Sequence, residues 1–147
     1  MYSIKRCNTD YDKDFMAVLK DIDIVAIDMH DKIYDVIDDI DQSNVHISIM
    51  TTSIDIISYV CRYTSLNVII PEGHVDQNLR VIIPQQDHHR FEQYPIHVYL
   101  SSAPILKQGG QTYLDVERCS ALQEFYYARA QSIYALSSVD IANRRGR

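Results

Sequence analysis

The chain has no tryptophan and, in 147 residues, only four glycines, four prolines and three cysteines. Each scarcity excludes something. The glycines are Gly73, the Gly109-Gly110 pair and Gly146, so there is no Walker loop and no Gly-x-Gly-x-x-Gly turn. Without such a turn the backbone cannot approach a pyrophosphate as NAD-, FAD- and ATP-binding loops require. Cys7, Cys61 and Cys119 are odd in number, far apart and without Cys-x-x-Cys spacing. That argues against a disulfide framework or a zinc knuckle and suits a reducing, cytoplasmic compartment. No apolar run approaches the roughly 20 residues that cross a bilayer, and the opening residues lack a signal peptide's apolar stretch. No membrane partner is expected. There is no Gly-x-Ser-x-Gly elbow either, and no Ser or Cys whose neighbours mark it as an activated nucleophile.

What is present is ordinary for a folded protein. Apolar residues make up 46% of the chain and charged residues 23%, and this length is that of one domain able to bury its own core. A single domain over residues 1–147 is expected. The net charge of -6 is concentrated early, since residues 1–50 carry 5 Lys/Arg against 11 Asp. An acidic first third disfavours nucleic acid as a partner, because that affinity rests on cations displacing phosphate counterions. The exception left open is a contact through the closing Arg144, Arg145 and Arg147.

Between Ile24 and Ile70 short apolar runs alternate with amphipathic stretches, which reads as β-α-β-α-β. Ile24-Val25-Ala26-Ile27 is β-branched and nearly continuous, as a strand covered on both faces should be, and it ends in Asp28. Residues 30–41 place Ile33, Val36, Ile37 and Ile40 at helical spacing opposite Asp31, Asp35, Asp38 and Asp39. Residues 45–50 form a second strand. Thr51-Thr52-Ser53 then offers caps for a helix burying Ile54, Ile57, Val60 and Cys61, and residues 66–70 form a third strand. Crossovers of this length join parallel strands. The expected fold is therefore α/β: a three-layer sandwich around a largely parallel, Rossmann-like sheet. Residues 80–83 and 96–100 are strand-like with short polar linkers, and they are expected to pair antiparallel at one edge. His97 and Tyr99 share one face of the second of these, as on a half-exposed strand. The α/β core is expected at 22–104, preceded by a short helix at 10–20. Residues 115–143 contain no Gly or Pro and repeat apolar residues every three or four positions, which predicts a long closing helix. One rival is open. Phe15, Val18, Ile22, Val25, Met29, Ile33, Val36 and Ile40 also make a heptad-like stripe, against which stands the density of β-branched residues at 22–27.

Ligands of open parallel sheets bind beyond the carboxyl ends of the strands. Those ends deliver Asp28, His30 and Asp31, then Thr51, Thr52 and Ser53, then Glu72 and His74, then Asp87, His88 and His89. Carboxylates and imidazoles suit a divalent metal that activates water, and hydroxyls at a helix start suit a phosphate. Asp28, His30, Asp31 and His74 are thus the candidate catalytic residues, and Thr51, Thr52, Ser53 and Glu72 the candidate ligand-binding ones. Asp28-Met29-His30 after a strand resembles the opening Asp-x-His of calcineurin-like metallophosphoesterases, in which both residues hold a metal. That family's Gly-Asp pair, Gly-Asn-His segment and late Gly-His-x-His are lacking here. The same strand also looks like the first motif of haloacid-dehalogenase phosphatases, with Thr51 or Thr52 at the place of the second motif; His30 stands where that family's second Asp is the general acid. Gly109-Gly110-Gln111 is similar to the water-positioning triplet of peptide release factors, without that family's basic tail. Asp39-x-Asp41-x-Ser43 begins like a calcium loop but has Asn44 at the turn glycine and Met50 at the bidentate Glu.

With no catalytic motif intact, no cofactor is expected. A divalent metal, if held, would fall to Asp28, His30, His74, His88 and His89. Eleven tyrosines are present, with Phe125, Tyr126, Tyr127 and Tyr134 spread over more than one face of the closing helix. Tyrosine brings contact area with little entropy loss, so these four are the expected interface. The leading expectation is a non-catalytic structural or assembly protein, a homo-oligomer or one subunit of a larger particle such as a virion. The alternatives are a metal-dependent phosphoester hydrolase, or a nucleotide- or small-ligand-binding module, at the strand ends.

Overall fold

The structure, a computed structural model, describes residues 4–6, 9–10, 15, 17, 19–43, 46–85, 91–102, 105–108, 111–115, 120–136 and 139–140. Its strands are β1 (Ile4–Arg6), β2 (Thr9–Asp10), β3 (Ile24–Ile27), β4 (Ser48–Met50), β5 (Asn67–Ile69), β6 (Gly73–Asp76), β7 (Val81–Pro84), β8 (Val98–Ser101), β9 (Ile105–Gln108), β10 (Gln111–Asp115), β11 (Ser132–Ala135) and β12 (Val139–Asp140). Its helices are α1 (Ile33–Gln42), α2 (Ile54–Tyr63) and α3 (Ala121–Arg129), with 3-10 turns at Leu19–Asp21 and Phe91–Gln93.

Six strands make one sheet in the order β2-β11-β8-β3-β4-β5, and every neighbouring pair in it is parallel. A strand buried on both faces needs apolar side chains in both directions, and β3 supplies them. Val25 and Ile27 pack with Ile33, Val36, Ile37 and Ile40 of α1 and Ile56 and Val60 of α2. Ile24 and Ala26, pointing the other way, pack with Tyr99, Phe91, Ile96 and Tyr126 of α3. The result is an α/β three-layer sandwich. The stripe on α1 is β-branched, which costs about 0.5 kcal/mol per residue in helix propensity. Burying each of those side chains returns roughly 1.5–3 kcal/mol, so packing decides the element. A side-chain cap at Ser53, whose Oγ accepts from Ile56 N at 3.2 Å, starts α2.

Topology selects one place on this sheet. From β3 the chain moves outward through α1, β4, α2 and β5, then returns to lay β8 against the other side of β3 and continues to β11. The reversal makes the β3/β8 boundary the topological switch point, the crevice in which open α/β sheets hold ligands.

Several expectations are corrected. The closing helix does not run over 115–143: β10 reaches Asp115, α3 occupies nine residues, and Ser132–Ala135 is a sheet strand. A capping box begins α3, with Gln123 N donating to Ser120 Oγ at 3.1 Å and Ser120 N donating to Gln123 Oε1 at 2.9 Å. It ends because the following backbone is captured by β8: Gln131 N donates to Ile96 O and Ser132 N to His97 O. Tertiary pairing overrides the helical period there. The sheet also draws β2 and β11 from outside 22–104. Asp10 lies in β2, not a helix; before Leu19, Phe15 and Ala17 are the described helical residues. The heptad stripe is not one helix, because β3 interrupts it. Residues 96–100 feed β8, parallel at the heart of the sheet, and the antiparallel edge is a separate hairpin of β6 and β7. That hairpin is joined to the sheet's carboxyl end by a bridge between Ser53 and Val81. A second sheet, β1-β10-β9-β12, has antiparallel pairs except β12 with β9. Among the described residues no helix is long and apolar enough to cross a membrane.

Candidate functional site at the switch point

Asp28 follows β3 directly, on the side of the sheet that faces α3. Four donors converge on its Oδ2: Tyr99 OH at 2.5 Å, Ser102 N at 3.1 Å, Ser102 Oγ at 3.1 Å and Gln123 Nε2 at 3.2 Å. Tyr99 and Ser102 come from β8 and its end, and Gln123 from the first turn of α3, so three elements meet on one oxygen. Among the described residues nothing donates to Oδ1. Burial holds the Asp28 carboxyl above the usual carboxylate range, and the hydrogen bonds from Tyr99, Ser102 and Gln123 oppose that without cancelling it. With Oδ2 surrounded by donors, a proton on this carboxyl belongs on Oδ1. The same oxygen therefore accepts a hydrogen bond when Asp28 is ionised and donates one when it is neutral.

Two tyrosines stand behind it. The Tyr99 phenol is driven well up by burial, and further by the charge and hydrogen bond of Asp28, so it remains a donor. Tyr126 is fully buried, its ring 5.0 Å from that of Tyr99. Its hydroxyl is buried and, among the described residues, has no hydrogen-bond partner, and burial, then the Asp28 charge, raises its phenol well above the ordinary value. An orphaned buried hydroxyl is rare and calls for a reason. Phe91 and Phe125 lie 6.0 Å and 6.1 Å from the Tyr126 ring, giving the cluster an aromatic wall.

The other candidate residues are placed differently. His30 is half-buried and its Nδ1 accepts from Lys32 N at 3.1 Å, at the entry to α1. Asp31 is exposed, and His74 is exposed on the hairpin. Among the described residues no three His, Cys, Asp or Glu side chains gather closely enough to hold a metal ion, so Asp28, His30, Asp31 and His74 do not form one centre. Asp87, His88 and His89 lie outside the described residues, as do Arg144, Arg145 and Arg147. Thr51, Thr52 and Ser53 are buried. Thr51 Oγ1 accepts from Ser53 N at 3.1 Å and Ser53 Oγ caps α2, while Ile54 N donates to Arg80 O and Ile82 N to Thr52 O. These groups close the strand-helix joint and tie down the hairpin, which leaves little for a phosphate. Glu72 is exposed beside an open depression of about 270 Å³ formed with Val68, Ile69, Ile70, Pro71 and Tyr94 at the end of β5.

The expected interface residues largely turn inward. Tyr126 is buried as described, Tyr134 is buried on β11 with its ring 5.3 Å from Phe15, and Phe125 and Tyr127 are half-buried against the α3 side of the core. Phe125, Tyr126 and Tyr127 are consecutive on α3 and so span more than one of its faces, while Tyr134 lies on a strand.

Tyr99, Ser102 and Gln123 do not stand out in the sequence as site residues, and Tyr126 stands out there as an interface residue instead. Tyr99 is not on a half-exposed strand: β8 is buried throughout, and His97 is tied by its Nδ1, which accepts from Ile24 N at 3.2 Å. One signal was there, since Val98-Tyr99-Leu100 followed by Ser101-Ser102 repeats the pattern of an apolar run closed by polar residues seen at Ile24 to Asp28. The chain matches no known family model, and no curated protein is detectably similar to it in sequence.

Proposed function

We propose that this chain is a small-ligand-binding α/β module whose site is the crevice at the β3/β8 switch point, with Asp28 as the anchoring group. The observation that carries this is the asymmetry of the Asp28 carboxyl: one oxygen held by four donors and the other without a described donor, beside the unpartnered Tyr126 hydroxyl. Burying a carboxylate this way is costly, and a purely structural joint between β3, β8 and α3 could be made with neutral groups. Among the described residues no cation contributes to the state of Asp28. The ligand group that fits Oδ1 is therefore an amine, amide or hydroxyl rather than a bare phosphate. Because the carboxyl sits high and its proton resides on Oδ1, the group is also suited to exchanging a proton with what it binds. The metal-dependent hydrolase reading gains nothing from the dispersed His30, Asp31 and His74.

The test is a thermal-shift screen of small amines, amides, polyols and nucleosides on the wild-type chain and Asp28→Asn. A ligand at about 100 times its Kd stabilises a native state by about 2.7 kcal/mol, a shift of several degrees. The expected result is at least one ligand class whose shift disappears in Asp28→Asn. Shifts that survive the substitution, or none across the panel, would overturn the reading.

A further inference from the structure

We propose that β6 is a self-association edge, on which a second copy of this chain adds its own β6 antiparallel to build a four-stranded ribbon from two hairpins. The hairpin is secured on one side only. Along β7, Ile82 N donates to Thr52 O and Arg80 O accepts from Ile54 N, which ties that edge to the start of α2. Among the described residues no strand pairs with the other edge, the outside of β6. Gly73, His74 and Val75 are exposed there, Val75 to 52%.

Backbone parity says which groups this edge offers. Glu72 O accepts from Gln85 N, and in the β6/β7 register the pairs alternate between bonded and unbonded. His74 and Asp76 therefore direct their N–H and C=O groups to β7, while those of Gly73 and Val75 point outward. An antiparallel neighbour must meet those outward groups, and of the two-fold registers in which a second β6 does so, the one with Val75 opposite Val75 pairs the most complementary side chains. That register sets His74 of each copy directly across from Asp76 of the other, twice per pair. The alternative, Gly73 opposite Val75, would set His74 against His74. Charges on an exposed edge ordinarily repel a second strand; here an imidazole, whose N–H can donate, meets a carboxylate that accepts, so the edge is self-complementary. The favoured register also covers the two exposed valines with each other. Continuous pairing about a two-fold axis is the commonest closed arrangement for identical chains. An edge of four residues is small against the ~1,200–2,000 Å² of a stable interface, so the pair forms with a Kd on the order of 10 µM to 1 mM.

Sedimentation velocity over a concentration series tests this. The wild-type chain should move from monomer toward dimer with concentration. Val75→Pro removes an outward N–H while leaving every hydrogen bond between β6 and β7, and Val75→Lys sets two lysines face to face. Each should weaken association at least tenfold, with circular dichroism and Tm unchanged from wild type. His74→Glu, which places Glu against Asp76, should do the same. Monomer at all concentrations, or variants that associate as the wild type does, would overturn the proposal. If Val75→Pro disturbs the hairpin, Val75→Lys and His74→Glu, both at exposed positions, carry the decision.

Discussion

The paired tyrosines behind Asp28 should respond in opposite directions to the same chemical change. Tyr126→Phe deletes a hydroxyl that is buried and, among the described residues, unpartnered, while keeping the ring and its contacts with Tyr99, Phe91 and Phe125. An unsatisfied buried polar group costs about 1–3 kcal/mol, so the variant should be more stable than wild type by about 1 kcal/mol, with Tm raised by about 4 °C. Tyr99→Phe deletes a donor at 2.5 Å from a half-buried carboxylate. Hydrogen bonds to charged groups contribute about 1.5–3 kcal/mol, and Oδ2 keeps its other three donors, so a loss of about 2 kcal/mol is expected. The loss should shrink in acid, where Asp28 is neutral. Urea unfolding with linear extrapolation, with unchanged slopes as the check on two-state behaviour, measures both. The double variant adds a test of coupling, since rings in contact are expected to be non-additive. A Tyr126→Phe variant less stable than wild type by 1 kcal/mol or more would mean that the hydroxyl has a partner in the folded chain, and the reasoning about the site would fail.

Asp28→Asn tests the electrostatics. The folded chain binds the Asp28 proton more tightly than the unfolded chain does, so this residue's contribution is fully present below the ordinary aspartate range and is lost as pH rises through the folded value. The stability of wild type minus that of Asp28→Asn should therefore fall from about pH 4 upward, measured by urea unfolding at a series of pH values; a difference that rises with pH would refute it. Gly73→Ala should damage the hairpin, because a Cβ at that position falls on the carbonyl of Ile83 and on Pro84. A cost of about 1–3 kcal/mol is expected, with faster amide exchange at Asp76, Val81 and Ile83 and little change in β3 or β8.

The half of the sheet from β3 to β5 was legible because sequence-local patterns specify it. A four-residue apolar run ended by Asp28, a one-sided stripe at Ile33, Val36, Ile37 and Ile40, and a hydroxyl cap at Ser53 each carry their meaning within a dozen residues. The other half was not, because its elements are decided by partners far along the chain. Ile133-Tyr134-Ala135-Leu136 fits a helix and a buried strand equally well by period, and what settles it is pairing with β8, more than thirty residues earlier. The site divides in the same way. Asp28 stands out locally as the residue closing β3, whereas Tyr99, Ser102 and Gln123 become its partners only once β8 is laid beside β3 and α3 is laid over both. Tyr126 lies on the apolar stripe of α3, and its burial follows from packing against Tyr99 and Phe91, which the helical period alone does not show.

Gln123 holds two positions at once. Its Oε1 accepts from Ser120 N, completing the cap of α3, and its Nε2 donates to Asp28. In capping boxes at large, Glu and Gln are interchangeable at this place, since only the accepting oxygen is used. Here they are not: Glu would keep the cap and bring a second acid against Asp28, and Asn is a methylene too short to reach both ends. The amide's orientation is set by the same pair of contacts, oxygen toward the helix and nitrogen toward the strand. Position 123 is thus specified to a single residue type by the crossing of two local demands, each of which alone would tolerate several.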